Sequence, residues 1–260
     1  MGGGVNAAAR LARPASALLA PVLLIAAWQA AISLGLADGG IWASPAAVVR
    51  AAREAVAEGD LAGDLLASLQ RDLAGLALGI PLGLATGLAL GLSRAAGRLF
   101  NPSLTAIRQV ALFSWVPVIS VWLGNDEPAK IAFIAFAVFF PVMLATQQGV
   151  RGVDPKYLEV AVILNMRPSQ TLRAIILPAA LPAALSGIHL ALIYGWLATI
   201  GAEYLFSAGP GIGSELMTAR AQFRMDQVIV GMLLIAGIGM MFTQAAGAAE
   251  RRLLRARGLA

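Results

Sequence analysis

The chain has 260 residues, of which 59% are hydrophobic and only 13% charged, with a mean hydropathy of +0.78. A soluble domain carries about 25% charged residues, so this composition points to a membrane protein and away from an ordinary soluble enzyme. Cysteine is absent and His189 is the only histidine, which argues against disulfides, thiol catalysis and Cys- or His-based metal sites. The net charge of +5 could suggest nucleic acid, but its placement suggests a membrane instead.

Apolar windows of about 20 residues cross a bilayer. Six are expected, at roughly 15–36, 70–92, 105–124, 129–149, 179–203 and 227–247. They make an all-α membrane protein with a transmembrane domain over 15–247, a tail over 1–14 and a tail over 248–260. The first window follows Arg10 and Arg13 and outruns the 7–15-residue core of a signal peptide, so it reads as an uncleaved span. In the long connection 37–64, Ser44-Pro45 starts a helix over Ala46 to Ala57, with an apolar stripe at Val48, Val49, Ala52 and Val56. That helix is either a structured connector or a piece lying on the membrane surface.

In the second window Gly75, Gly79, Gly83, Gly87 and Gly91 recur every four residues. Residues four apart share one helix face, so another helix can approach this nearly bare backbone closely. The ladder reads either as static packing or as a surface that slides during transport. Pro81 removes one backbone hydrogen bond and implies a kink. The third window is short and is interrupted by Pro117.

With the N-terminus in the cytoplasm, inside segments hold 13 of the 19 Lys and Arg residues, while outside segments and span edges hold six. This bias sets an N-in, C-in orientation. It makes the polar stretch between the fourth and fifth windows, Arg151 to Pro178, cytoplasmic. That loop has about 28 residues, where a simple reversal needs about four to six. Asp154-Pro155 starts a helix carrying Tyr157, Leu158, Ala161, Val162 and Leu164. Asn165 can end it in the left-handed conformation. Arg167-Pro168-Ser169 then opens a second short helix through Leu172 and Arg173, and Pro178 and Pro182 mark the start of the next span. The expected product is a helix–turn–helix knob.

Other residues keep two readings. Glu203, with Tyr204 beside it, is either a functional carboxylate at membrane depth or an interfacial, solvated one. His189 is a packing residue or a substrate contact. Trp115, Trp122, Tyr194 and Trp196 line a path or anchor the interface. Arg71 draws an anion to the outer mouth, or pairs with Asp72, or meets lipid. The Gly209–Gly213 turn, with Gly211 and Gly213, is a gate loop or a flexible reversal. The Glu250–Arg257 tail is expected to meet anionic head groups. Neither lysine sits in a G-x-x-x-x-G-K-[ST] loop, so this chain should not hydrolyse ATP.

Glu159, Ala161, Ile175, Leu177 and Pro178 match the spacing of the EAA motif of ABC-importer permeases, and the loop resembles that motif. Val160 stands where the family usually has Ala, and Asn165 where it has Gly. Ser68-Leu69-Gln70-Arg71, Trp115-Val116-Pro117, Phe139-Phe140-Pro141, Gly149 to Pro155, Ile176 to Pro182 and Gly209 to Gly213 extend the likeness over roughly 44–257. They look like the nitrate/sulfonate/taurine branch.

The resemblance implies the type I importer (MetI-like) fold in the bacterial inner membrane, and a second permease copy. It also implies two cytoplasmic ATPase subunits, which bind ATP and Mg, and a periplasmic binding protein. By the same resemblance, the helix around Glu159 to Asn165, with Val160 and Ala161, docks in an ATPase cleft. Glu159 holds the knob by capping or by pairing with Arg167 or Arg173, and Pro178 passes motion to the fifth span. The cargo implied is a small anion. A secondary transporter would usually show internal repeats and mid-membrane ionisable groups, and an intramembrane enzyme would need a nucleophile–base pair or metal ligands. Neither pattern stands out.

Overall fold

The structure is a computed structural model that describes residues 19–20, 22–35, 43–57, 61–206 and 209–256. The expected tail 1–14, parts of the first window and residues 257–260 lie outside that set. Every regular element among the described residues is helical: α1 (Val22–Ser33), α2 (Pro45–Ala57), α3 (Leu61–Leu92), α4 (Arg94–Gln109), α5 (Val116–Leu123), α6 (Glu127–Arg151), α7 (Pro155–Ile163), α8 (Pro168–Leu205), α9 (Ile212–Ala221) and α10 (Met225–Ala256). Two compact units result. One is drawn from residues up to Leu61 with Leu216–Leu233, the other from Ala62–Glu215 with the chain from Leu234 onward.

In the first unit Ser44 caps α2, its Oγ accepting from the Ala47 N–H at 3.1 Å. The buried face is Val48 and Ala51. Val49 and Val56 are exposed, so the expected stripe is displaced around the helix.

The second unit holds the long apolar helices. α3 runs unbroken through Pro81 and begins well before the expected position. The third window is corrected more deeply. α4 and α5 meet at 97°, and the break falls at Val110–Ala111, ahead of the 3₁₀ turn Leu112–Trp115. Pro117 causes no interruption, because it occupies the first turn of α5, where a missing N–H costs nothing. Likewise Pro178 does not separate a short helix from a span. α8 continues from Pro168 through one π turn at Leu172–Ile176.

The glycine ladder fixes the direction of packing. A Cβ on Gly75 would meet Ile134; on Gly79, Val138; on Gly83, Val142; on Gly87, Thr146; on Gly91, Val150. Both partners advance together, so α3 and α6 run parallel. The chain must therefore return along the unit between them, and α4, the 3₁₀ turn and α5 form that broken crossing. α8 is antiparallel to α6, since Gly187 faces Val142 and Ala145 while Gly149 faces Ala180 and Ala183. α10 is antiparallel to α8, with Trp196 beside Ile235 and His189 beside Glu250. The link at Ser93, the loop 152–167 and the C-terminal part of α10 thus share one end of this unit.

Lipid is as apolar as Leu, so apolar helices gain little from leaving it, and close packing has to hold them together. Bare glycine backbone supplies it against α6. Leu76, Phe133, Ile134, Val138, Val142, Ala191, Ala198, Ala202 and Phe206 form the dense centre.

Candidate functional site

Two polar sites occupy opposite ends of the second unit. At the Glu127 end, Arg71 of α3 is 4% exposed. Its Nε and Nη2 donate to the Glu127 carboxylate at 2.7 and 2.6 Å, and its Nη1 donates to Glu203 of α8. Lys130 Nζ lies 3.3 Å from Glu127.

This cluster pins the chain between α8 and α9. Arg71 donates to the Pro210 carbonyl at 3.2 Å. The N–H groups of Gly211, Ile212 and Gly213 donate to Asp64 at 2.7 Å, Ser68 at 3.1 Å and Glu203 at 2.8 Å. A Cβ on Gly211, whose φ is +152°, would stand 2.6 Å from the Glu203 carboxyl carbon. The turn is held, so the flexible-reversal reading fails. Glu203 is 1% exposed and is not a solvated interfacial group. Arg71 does not pair with Asp72, which instead accepts from Thr199 Oγ1 at 3.1 Å. Sequence reading missed Glu127, Lys130, Asp64 and Ser68 as partners. The one signal was an arginine inside an apolar window, which needs a counter-charge from somewhere.

At the other end stands the knob. The Asp154 carboxylate accepts from the Lys156 N–H at 2.9 Å and caps α7. The helix closes with a Schellman motif. The Met166 N–H donates to Ala161 O at 2.9 Å and the Asn165 N–H to Val162 O at 3.0 Å, with Asn165 at φ 48°. α8 then opens with the Arg167 N–H donating to Gln170 Oε1 at 2.8 Å. Local hydrogen bonds therefore set the shape.

Tyr157, Val160, Val162, Ile163 and Leu164 are exposed, whereas Ala161 is buried. Glu159, Arg167 and Arg173 are exposed too. Among the described residues Glu159 pairs with neither arginine, so the pairing alternative is not seen. Ile175 and Pro178 are half-buried and Leu177 is exposed, all within the continuous α8. Leu158 and Pro155 line a groove of about 980 Å³ with Arg94, Arg98 and Arg151.

The remaining candidates separate. Trp122 is 76% exposed. Trp115 packs on Phe136 at 5.2 Å between ring centroids. Trp196 is buried and donates to Ile235 O at 3.0 Å, so it is a packing residue and not an interfacial anchor. His189 Nδ1 lies 3.0 Å from Glu250, which also accepts from Ser186 Oγ at 3.0 Å. Glu250 thus folds back onto α8. Tyr194 is half-exposed and borders a second cavity. Among the described residues no group of acidic or His side chains can hold a metal ion.

The second unit has long apolar helices, a clamped turn at one end and an apolar knob at the other, and these suit a membrane-spanning subunit. Residues 79–255 match the model of the family described as "Binding-protein-dependent transport system inner membrane component", and the chain belongs to that family. It is the permease subunit of an ABC transporter, a multi-pass component of the inner membrane, of the sulfonate/nitrate/taurine branch.

The chain is 37% identical over 238 residues to SsuC of Bacillus subtilis, a candidate aliphatic sulfonates transport permease protein, covering 92% of this chain and 86% of that one. It is 32% identical over 155 residues to the taurine transport system permease protein TauC of Escherichia coli, with 60% and 56% covered. It is 31% identical over 163 residues to the bicarbonate transport system permease protein CmpB of Synechococcus elongatus, with 63% and 59% covered. Among solved structures, a chain from the crystal structure of an amino acid ABC transporter with histidines superposes with a TM-score of 0.61 at 17% identity, over 73% of this chain and 92% of that one. That likeness concerns the fold alone.

Proposed function

We propose that two copies of this chain form the path by which a small organic anion, an alkanesulfonate or taurine in kind, crosses the inner membrane inward. Two cytoplasmic ATPase subunits, which bind ATP and Mg, drive the step, and a periplasmic binding protein delivers the anion. The transmembrane domain is 15–247, with six spans, N-in and C-in. The first span includes α1, and the broken α4–α5 pair is the third. The loop 151–178 is the coupling element, between tails 1–14 and 248–260.

The observation that carries this reading is the knob. α7 offers Val160, Val162, Ile163 and Leu164 to solvent, on a turn held by its own hydrogen bonds. An apolar patch of this kind marks an interaction site. Glu159 and Arg167 flank it, and Ile175, Leu177 and Pro178 join it rigidly to α8. Contact with an ATPase would therefore move α8 directly. Gly75, Gly79, Gly83, Gly87 and Gly91 fit a fixed seam better than a sliding one, because ridges of α6 fill every gap. At the far end, Glu203 and the turn with Gly211 and Gly213 act as the gate. The names of the relatives support a sulfonate or taurine, and nitrate, bicarbonate or an aromatic carboxylate is the next choice.

Because the chain has no cysteine, Val162→Cys gives a unique label. A membrane-impermeant maleimide should modify it in inverted vesicles and not in right-side-out ones, and the ATPase subunits should protect it. Labelling from the periplasmic side would refute both the orientation and the docking role.

A further inference from the structure

We infer that the cavity beside the break in the α4–α5 pair is an anion subsite of the permease itself, in which Arg108, Gln148 and Tyr194 hold a monoanion bearing a compact apolar group. This rests on the importer reading and adds a recognition site within the membrane-spanning subunit.

The cavity measures about 520 Å³, within the range of small-molecule sites. Its wall is mostly apolar, with Leu112, Phe136, Phe140, Leu144 and Leu190, and it contains no acidic side chain. Arg108, Gln148 and Tyr194 are its polar side chains. Among the described residues none of these three side chains has a hydrogen-bond or ion-pair partner. Arg108 lines a small neighbouring pocket with Met143 and Leu144 of α6, about 10 Å along that helix from its Arg151 end at 1.5 Å per residue.

Arg108, Gln148 and Tyr194 are all exposed, so their donors are open to an incoming anion. Arg71 is buried and neutralised by Glu127 and Glu203, whereas Arg108 is exposed and has no ion-pair partner among the described residues. The unwound backbone gives a second, independent sign. Val110 leaves the helix at φ −68° and ψ 127°, and Val110 and Leu112 line the cavity. Non-helical backbone at membrane depth survives where it is buried in protein or borders a cavity.

One fixed positive charge selects a single negative charge. A guanidinium presents paired N–H groups to two oxygens of a planar or tetrahedral oxyanion. The Tyr194 hydroxyl and the Gln148 amide add donors, and the aromatic and aliphatic wall takes a short carbon chain. A dianion would leave one charge uncompensated, and a cation would face Arg108.

The test is calorimetric titration of the purified permease–ATPase complex, without binding protein, using butanesulfonate, sulfate and ethylammonium. Saturable butanesulfonate binding is expected, with sulfate weaker and ethylammonium silent. Arg108→Gln should weaken butanesulfonate about tenfold to a hundredfold, as loss of a charged hydrogen bond does, and Arg108→Lys should recover part of that. Arg53→Gln, an exposed arginine on α2 outside the cavity, should bind as the wild type does. If Arg108→Gln does not assemble, Tyr194→Phe carries the test and should weaken binding about threefold or more. Absent binding, binding unchanged in these variants, or equal binding of ethylammonium would overturn the subsite. The importer reading fails by a different result, a permease that does not assemble with ATPase subunits.

Discussion

Arg71 on α3 donates to Glu203 on α8 across 132 residues of sequence, and both side chains are almost fully buried. The pair is also the anchor of the Pro210–Gly213 turn, since each partner makes a second bond to it. Two long helices and a loop therefore depend on one ionic junction. Any outward opening at this end has to break or carry that junction.

Arg71→Met should leave Glu203 buried without a counter-charge. Removing one partner of a buried pair costs about 3–5 kcal/mol. The double variant Arg71→Met with Glu203→Met should regain a good part of this, because it strands neither charge. Thermal unfolding of the solubilised chain checks both, and equal melting temperatures for Arg71→Met and wild type would contradict the junction.

The α3–α6 seam makes a sharper steric prediction. A Cβ on Gly83 would lie 2.8 Å from the Phe139 carbonyl oxygen, so backbone would have to move. Gly83→Leu should destabilise by about 3 kcal/mol or more, at or above the upper end of overpacking costs. Gly237 of α10 has nothing within 4 Å of an added Cβ. Gly237→Ala should be neutral or stabilising by up to about 1 kcal/mol, the helix-propensity difference. If both behave alike in the same unfolding assay, the ladder is not a packing seam.

Asn165 offers a third comparison, because it holds a left-handed φ of 48°. Asn165→Gly should keep α7 and its turn and leave ATP-driven uptake intact. Asn165→Val should cost about 1–2 kcal/mol, because a β-branched side chain tolerates the left-handed region far less well than Asn does. Protease sensitivity of the knob in inverted vesicles reads this out. Unchanged sensitivity in the valine variant would contradict the Schellman closure.

Much of this was legible in sequence, for local reasons. Asp154-Pro155, Asn165 and Arg167-Pro168 each act within a few residues, so caps and turns could be read directly. The glycine ladder was visible because its period matches a helix face. What escaped was long-range. Arg71 has neighbours on three elements, and nothing in its own window names Glu127 or Glu203. The break at Val110–Ala111 was misassigned to Pro117, because a proline in the first turn of a helix looks the same in sequence as one that interrupts a helix. Glu159 was expected to hold the knob by capping or by pairing with Arg167 or Arg173. The turn leaves it exposed, and among the described residues it has no ion-pair partner.

The central claim is that ATP hydrolysis by partner subunits reaches this chain through the exposed apolar face of α7. Uptake of labelled ethanesulfonate into proteoliposomes, holding the permease, its ATPase subunits and the binding protein, tests it most directly. Val162→Arg with Ile163→Arg changes two surface residues, 76% and 78% exposed, and should leave membrane insertion unchanged. The account predicts ATP-dependent uptake in the wild type and a fall of about tenfold or more in the variant, the loss expected for roughly 1.4 kcal/mol of docking energy. Uptake in the variant equal to that of the wild type would contradict it.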